Sequence, residues 1–352
     1  MSSTSDAASG EKFRLAYQLL PVIVTSIDLT IEIAPDCSAT VRSSLRFALR
    51  PGSSIPSSGL LLNGGSDVHL VSLVVNDRSP AAETYSVCKD GLELSRGCLF
   101  DQEDCAEWVV LITVNIRPQD NTQLEGLYCS GGILCSQCEP EGFRAVTYFF
   151  DRPDVMCVWR VRIEANKELY PVLLSNGNLH ASGDLADSGR HFAEWIDPFP
   201  KPCYLFAVVA GQLVLTSDRF VTRSGRVVSL RIWTKDAHKT KVSHALQSLS
   251  KAMKWDEVTF GLEYDLDLYN IVAVDDFNMG AMENKSLNIF NTRLILATPQ
   301  TANDSDFADV ESVIAHEYFH NWSDSQMTMI IIMIVLRLRV PLVVVKGPSV
   351  HS

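Results

Sequence analysis

The chain has 352 residues, of which 46% are hydrophobic and 20% charged, and its formal net charge at pH 7 is −12. This composition is typical of a globular protein, and the length is sufficient for two or more domains with cores of their own. The negative charge argues against nucleic acid as a partner, because binding to phosphates requires a basic face.

The N-terminus and the cysteines bear on the cellular compartment. Residues 1–12 are polar and predicted to be disordered, and they contain neither the apolar core of a secretory signal nor the arginine-rich pattern of a transit peptide. Nine cysteines without a secretory signal favour reduced thiols. The CxxC pair of Cys135 and Cys138 has no second such pair, so it is a weak sign of a metal site. We expect a cytoplasmic protein, with an organelle as the alternative.

Short strand-like runs fill the first part of the chain. The runs include VIVTSIDLTIEI, SATVRSSLRFAL, HLVSLVVN and WVVLITVNI, and turn-rich stretches such as PGSSIPSSG separate them. This spacing predicts an antiparallel β domain. The pattern continues through AVTYFF, WRVRIEA and YLFAVVAGQLVL. The β domain is therefore predicted to cover residues 13–211.

After that boundary the apolar residues begin to recur with the spacing of a helix. Apolar residues recur at spacings of four, three and four from Val242 to Met253, which predicts one buried helix face. NIVAV and SLNIFNTRLIL are predicted strands. TANDSDFADVESVIAHEYFHNW is a predicted helix with Asp304 or Ser305 as its N-cap. Residues 212–323 are thus predicted to form an α/β unit.

An apolar tail, residues 324–352, follows this helix. Residues 327–336 are almost entirely apolar, but Arg337, Arg339 and Pro341 interrupt the run that follows. A membrane-spanning helix needs about 20 apolar residues. Each arginine near the middle of a span costs about 2.5–3.5 kcal/mol. A membrane anchor is therefore disfavoured, and a buried pair of strands is the alternative.

The segment HEYFHNW contains an HExxH motif made of His316, Glu317 and His320. Residues four apart on a helix face the same side, so both imidazoles can bind one Zn²⁺. Glu317 is placed to take a proton from water and to pass it to a leaving amine. The alternative is two ordinary histidines on a helix, because so short a motif also arises by chance.

Two further segments contain carboxylates beside strands. In NMGAMEN, residues 278–284, an extended strand could pair with a peptide, and Glu283 at its end could hold a free α-amine. Spacing alone favours a solvated glutamate in a hairpin. In QCEPEGF, residues 137–143, the glutamates are by themselves ordinary surface charges of a loop.

Taken together, these motifs resemble the aminopeptidase N family of zinc metallopeptidases, the gluzincins, and in particular its bacterial-type alanyl aminopeptidase branch. The resemblance covers roughly residues 14–322. The segments that carry it are GLYCSGGILCSQCEPEGFRAVTYFFDRPDVM, YPVLLSNGN, DPFPKPCYLFAVVAG, MKWDEVTFGLEYDLDLYNIVAV, FNMGAMENKSLNIFN and VIAHEYFHNW. It implies a saddle-like β domain followed by an incomplete thermolysin-like catalytic domain. It also implies hydrolysis of the N-terminal amino acid from peptides that have a free N-terminus.

The resemblance assigns one Zn²⁺ per chain, with His316 and His320 as ligands and Glu317 as the general base. It also assigns a substrate site. Its residues are Glu283, Glu139, Gln137, Met279, Gly280, Ala281, Met282 and Asn284. Among these, Glu283 holds the α-amine, Glu139 and Gln137 complete the amine site, and Met279 lines the pocket for the first side chain.

The tail departs from the family pattern. In the family a glutamate, separated from the second histidine by eighteen residues, is the third zinc ligand, and Arg339 occupies that position here. No acidic residue follows Asp324. Arginine has no acceptor and stays charged, so it cannot replace a carboxylate ligand. We expect residues beyond Ser323 to be out of family register, through a frameshift, a retained intron or an alternative exon, and the chain to be weakly active or inactive.

Other functions remain open on the sequence. A truncated, non-catalytic isoform could still bind peptide N-termini or a partner. Epoxide-hydrolysing relatives share the fold, but they typically carry GGMEN, so Ala281 argues against them. The sequence gives no indication of the oligomeric state.

Overall fold

The computed structural model describes residues 17–99, 107–139, 141–186 and 189–323. Three β-sheets of the N-terminal part lead into one mixed sheet that is covered by two long helices. The predicted fold class, an antiparallel β domain followed by an α/β unit, is confirmed. The predictions made for residues 1–12 and 324–352 lie outside the described residues.

A seven-stranded sheet forms the largest layer of the β domain. Its strands are β1 (Val22–Ile33), β2 (Ala39–Leu49), β4 (His69–Val75), β7 (Glu107–Ile116), β10 (Cys157–Asn166), β12 (Asn178–Asp184) and β13 (Arg190–Lys201). They lie in the order β12-β13-β10-β1-β2-β7-β4, and all neighbours are antiparallel except β1 and β10. Burial alternates along β7, as expected for a strand with one face in the core.

Two smaller antiparallel sheets complete this domain. The first contains β3 (Leu60–Asn63), β5 (Tyr85–Cys88) and β6 (Gly91–Leu94), and the short helix α1 (Arg96–Leu99) follows it. The second contains β8 (Gly126–Ser130), β9 (Ile133–Gln137), β11 (Val172–Ser175) and β14 (Val208–Gly211), in the order β11-β14-β9-β8.

The segment AVTYFF was predicted as a strand, and this is wrong. A 3-10 turn covers Phe143–Ala145, and an isolated bridge between Asn63 and Phe149 is the segment's β pairing. Its aromatic side chains are all buried rather than alternating, and Phe149 packs edge-on against Phe143. A wholly apolar run looks like a buried strand in sequence, but here it fills the core as an irregular segment.

A mixed five-stranded sheet forms the α/β unit. Its strands are β15 (Val214–Val221), β16 (Val227–Thr234), β17 (Leu268–Val274), β18 (Ala281–Met282) and β19 (Leu287–Asn291), in the order β15-β16-β17-β19-β18. The helices are α2 (Ser243–Thr259) and α3 (Asp304–Ser323). Since β14 ends at Gly211 and β15 starts in another sheet at Val214, we place the domain boundary between them.

The mixed sheet is shared between the two parts of the chain. On β17, Leu268 and Val272 pack into the core of the β domain, whereas Tyr269 and Ile271 pack beneath α2 and α3. Alternate residues of a strand point to opposite faces, so one short buried strand serves both cores. For this reason both faces of the NIVAV strand are buried.

Helix α3 begins at Asp304, so its cap lies one residue before the predicted positions. Asn303, rather than Asp304 or Ser305, is the capping residue, because its Oδ1 accepts the backbone N–H groups of Ser305 and Asp306 at 2.8 and 3.1 Å. Asp306 accepts the N–H of Asn303 in return, at 2.9 Å. This reciprocal pair is a capping box, and it fixes the start of the helix that carries the HExxH motif.

The expectation of reduced thiols is corrected for one pair, because Cys37 and Cys129 are joined in a disulfide. The six other cysteines in the described ranges are free thiols, and five of them are buried. Burial raises the pKa of Cys135 to about 12 and that of Cys157 to about 12. Burial also raises the pKa of Cys203, and the nearby Asp151, which accepts its S–H, adds to this effect.

We expect the buried thiols to resist alkylation, because the thiolate is the reactive form. In native protein at about pH 8, iodoacetamide should modify the half-buried Cys88 while leaving Cys135, Cys157 and Cys203 unmodified. In denaturant all four should react. Peptide mass spectrometry measures both states, and rapid labelling of the buried three in native protein would contradict the expectation.

Among the described residues, no helix is both long enough and apolar enough to cross a membrane.

Candidate active site

The two histidines of the motif meet on the surface of α3. His316 Nε2 and His320 Nε2 lie 3.0 Å apart, and their ring centroids are separated by 4.6 Å. Because Zn–N bonds are about 2.0–2.1 Å long, two nitrogens at this distance can bind one ion. His316 is exposed and His320 half-buried, so the pair is accessible from solvent.

Glu317 lies on the buried side of the same helix, with only 6% of its surface exposed. Its charge acts on Tyr269 of β17, and the ring centroid of Tyr269 is 5.8 Å from that of Tyr318. Burial raises the pKa of Tyr269, and the negative charges of Glu317 and Glu283 raise it further. Both carboxylates therefore act electrostatically on this tyrosine.

Sequence reasoning missed Tyr269. Its hydroxyl oxygen accepts a hydrogen bond from Asn288 Nδ2 at 2.6 Å, and both side chains are buried. The pair links β17 to β19. The sequence did contain a signal for it, because Tyr269 stands next to an asparagine in the otherwise apolar strand LYNIVAV.

Glu283 reaches the motif from the sheet. Glu283, Glu317 and His320 each offer one potential ligand atom, and these three atoms lie within 4.8 Å of one another. The structure thus brings the carboxylate of Glu283 close to His320 and Glu317 of the HExxH motif. The spacing of the two motifs along the chain does not require this, since a strand and a loop lie between them.

The strand before Glu283 is the edge of the mixed sheet. In β18, Ala281 pairs with Phe290 and Met282 with Ile289, and Gly280 accepts the N–H of Asn291 at 2.9 Å. Within the described part of the chain, β18 has no strand on its other side. An edge strand of this kind can pair with an extended peptide.

Gly280 and Met279 precede this edge strand. A Cβ added at Gly280 would lie 2.8 Å from Leu294 Cδ1, so the Leu294 side chain would have to shift to accept a larger residue. Met279 is 49% exposed, so its side chain is available to contact a ligand.

The residues after Glu283 are held by the β domain. Asn176 Nδ2 donates to the carbonyl of Lys285 at 2.8 Å, and the N–H of Gly177 donates to Ser286 Oγ at 2.6 Å. Lys285 is buried and its Nζ lies 2.6 Å from Asp265 Oδ2. Asn284 is also fully buried, and neither of its side-chain polar atoms has a hydrogen-bond partner among the described residues.

Gln137 and Glu139 belong to the β domain. Gln137 ends β9 with 4% of its surface exposed, and its Oε1 lacks a hydrogen-bond partner within the described ranges. Glu139 is half-buried and follows it. The neighbouring strand β8 is bound to the segment before β18, since Ser130 Oγ donates to Asp276 Oδ2 at 2.9 Å. Glu139 is not part of the group of Glu283, Glu317 and His320.

An apolar groove lies between helices α2 and α3. Its volume is about 420 Å³, and Trp255, Phe260 and Phe319 line it. Trp255 is 57% exposed and Phe260 50%, although their rings pack edge-on with centroids 5.4 Å apart. The described residues thus leave part of the helix layer uncovered.

Comparison with known proteins identifies the family. Residues 102–205 match the Peptidase M1 N-terminal domain, and residues 244–331 match the Peptidase family M1 domain. The two matches occur in the order expected and together span more than half of the chain. The chain belongs to peptidase family M1. The resemblance to aminopeptidase N that was drawn from GAMEN and HEYFHNW is thereby confirmed.

Relatives within the M1 family align with most of the chain. Aminopeptidase N of Caulobacter vibrioides is 49% identical over 312 residues, which is 89% of this chain and 34% of that protein. Aminopeptidase N of Escherichia coli strain K12 is 48% identical over 317 residues, which is 90% of this chain and 35% of that protein. The chain therefore spans about a third of the length of these M1 relatives.

A solved structure has the same fold. The crystal structure of Legionella pneumophila aminopeptidase A, in complex with aspartic acid, superposes with a TM-score of 0.82 and 34% identity. The match covers 90% of this chain and 36% of that one. The M1 match of this chain ends at residue 331, before Arg339, and the predictions about that position lie outside the described residues.

Proposed function

We propose that this chain carries the metal and amine sites of a zinc aminopeptidase, an enzyme that hydrolyses the N-terminal amino acid from peptides. The observation that carries the proposal is the grouping of Glu283 with Glu317 and His320 beside the edge strand β18. Family membership adds the chemical class, since the M1 relatives are named as aminopeptidases.

The donor set fits a zinc ion in part. Two imidazole nitrogens 3.0 Å apart, with carboxylates nearby, are typical zinc ligands, although catalytic zinc usually has three protein ligands. His316 and His320 would hold the ion. When bound, zinc would supply Lewis-acid polarisation of the scissile carbonyl. Glu317 would accept a proton from the attacking water and donate it to the leaving amine.

The remaining residues would bind the peptide. Glu283 would accept hydrogen bonds from the α-ammonium group, and such charge-assisted bonds are strong. The buried Oε1 of Gln137 would be a further acceptor, with Glu139 beside it. Ala281 and Met282 would pair with the peptide main chain, Gly280 and Asn284 would fix the strand, and exposed Met279 would contact the first side chain.

We expect hydrolysis by the 352-residue chain to be weak or absent, because Arg339 replaces the acidic ligand that the family has. With an aminoacyl anilide and added Zn²⁺, its turnover should not exceed that of Glu317→Gln. The release of the anilide chromophore measures this. Substantial turnover that Glu317→Gln abolishes would show that the chain is an active peptidase.

A binding role without hydrolysis is the second proposal, and the position of Glu283 beside the edge strand β18 favours it. Calorimetric titration with an amino-acid amide should show binding that Glu283→Ala and Glu139→Ala both weaken. Glu141→Ala is the matched control, because Glu141 lies two residues from Glu139 and its carboxylate forms an exposed ion pair with Arg144. Absence of binding to the unmodified chain would contradict this role.

The cytoplasmic location also stays a prediction, and cell fractionation would test it.

A further inference from the structure

A tight turn follows Glu283 and joins β18 to β19. The N–H of Leu287 donates to the carbonyl of Asn284 at 2.9 Å, so residues 284–287 form a β-turn. Ser286, the third residue of this turn, has a φ of +61°, a backbone conformation that strains residues other than glycine. Such strain persists only where the surrounding structure holds it. Contacts outside the turn must therefore keep its shape.

Bonds from both parts of the chain hold the main chain of this turn. From the β domain, Asn176 Nδ2 donates to the carbonyl of Lys285 at 2.8 Å, and the N–H of Gly177 donates to Ser286 Oγ at 2.6 Å. From the mixed sheet, the N–H of Asn270 donates to the carbonyl of Ser286 at 2.9 Å. Lys285 and Ser286 are both buried. The backbone directly after Glu283 is thus fixed from two sides.

The side chain of Lys285 adds a charged contact to each part of the chain. Its Nζ lies 2.6 Å from Oδ2 of Asp265, in the loop between α2 and β17. The same Nζ lies 4.8 Å from the ring centroid of Phe199 on β13, a distance at which a cation is attracted to an aromatic ring. The lysine side chain is 1% exposed and that of Asp265 12%. One ammonium group therefore bridges the α/β unit and the β domain two residues after Glu283.

Stability alone does not explain a lysine at this buried position. Taking two charges out of water costs about as much as their attraction returns, so apolar residues of similar volume often replace a buried ion pair without loss. An ion pair does demand a defined geometry, because its two groups must meet within about 3 Å. Its effect here falls on Glu283, whose carboxylate lies within 4.8 Å of potential ligand atoms of Glu317 and His320.

We propose that Lys285 is a positioning residue for Glu283, because its ion pair with Asp265 keeps the turn in the conformation that presents the Glu283 carboxylate to an α-amine. The inference rests on the proposed function in one respect, the binding of the amine by Glu283. Lys285 itself is buried and paired, so it acts through Glu283 and not on the substrate. Loss of Lys285 therefore weakens recognition of the ammonium group selectively.

Two ligands that differ only in the ammonium group measure this role. Alanine amide carries the group, and propionamide has a hydrogen atom in its place. Titrations followed by protein NMR give both affinities, and the unmodified chain should prefer alanine amide. In Lys285→Met this preference should fall by about 10-fold or more, as expected for the loss of one hydrogen bond to a charged group. The affinity for propionamide should not change.

A matched control and a second variant accompany this substitution. Lys254→Met makes the same change at a lysine on α2 whose Nζ lies 3.4 Å from the buried carboxylate of Glu257, and it should leave the preference unchanged. Asp265→Asn keeps the shape of the side chain and one oxygen acceptor but removes the charge, so it should also lower the preference. It decides the question if Lys285→Met does not fold, and thermal unfolding shows which variants are folded.

Three results would overturn the positioning role. An unchanged preference in folded Lys285→Met, or in Asp265→Asn where the first variant does not fold, would show that the turn positions Glu283 without the ion pair. An equal loss of affinity for both ligands would show that Lys285 only supports the fold. If the unmodified chain does not prefer alanine amide, the proposed function fails, and the role of Lys285 toward the amine fails with it. The unmodified chain thus tells the two failures apart.

Discussion

Replacing Asp197 by asparagine is expected to lower the free energy of unfolding by about 3–5 kcal/mol, because it leaves a buried lysine without its counter-charge. Lys201 Nζ lies 3.2 Å from Asp197 Oδ2, and neither side chain has any exposed surface. The ammonium also lies 4.8 Å from the ring centroid of Trp159. Few other groups in the β domain combine a full charge with complete burial.

The pH dependence of this effect follows from the lysine. Burial lowers the pKa of Lys201, and the nearby Asp197 carboxylate raises it again in part. The folded state thus binds this proton less tightly than the unfolded chain, so stability rises as the pH increases through the folded pKa. The substitution Asp197→Asn removes the carboxylate and would lower the folded pKa further. The loss of stability should therefore be greatest near neutral pH and smaller at about pH 10, near the ordinary pKa of lysine.

Urea unfolding at both pH values measures this prediction. The matched control is the double variant Asp197→Leu with Lys201→Met, because replacing a buried ion pair by apolar residues of similar volume is often neutral or stabilising. A single variant Asp197→Asn within about 1 kcal/mol of the unmodified chain would show that solvent reaches the pair in solution.

Replacing Asn176 by alanine is expected to cost about 3 kcal/mol or more, because it removes three buried hydrogen bonds at once. Asn176 Nδ2 donates to the carbonyls of Leu205 and Lys285 at 3.0 and 2.8 Å, and its Oδ1 accepts the N–H of Ala207 at 2.7 Å. Each of these backbone groups would be left unsatisfied in the core. The bond to Lys285 also links the β domain to the segment that follows Glu283.

The effect on that segment can be measured separately from global stability. Hydrogen exchange of the amides of Met282 to Ser286 should become faster in Asn176→Ala under conditions where the protein stays folded. Asn178→Ala is the matched control, since Asn178 lies in the same region but its Nδ2 bonds the carboxylate of Asp267 near the surface. Unchanged exchange in Asn176→Ala would show that the segment is held without this contact.

The sequence by itself determined most of the elements and the motifs that they contain. Alternation defined the long strands of the seven-stranded sheet, and the spacing from Val242 to Met253 defined the buried face of α2. HExxH placed two imidazoles on one side of α3, because four residues nearly complete a helical turn. These features depend on local periodicity, which the sequence records directly. The cap of α3 was misplaced by one residue, since Asn303, Asp304 and Ser305 are all good caps.

Only the tertiary structure decided how distant parts of the chain meet. It brought Glu283 to Glu317 and His320, joined Tyr269 to Asn288, and bound Lys285 to Asn176 of the β domain. It also made AVTYFF an irregular core segment and paired Cys37 with Cys129. Such contacts depend on which strand becomes the edge of a sheet and on how two sheets pack. Local sequence patterns do not specify these choices, because they arise from the mutual burial of apolar faces that are far apart along the chain.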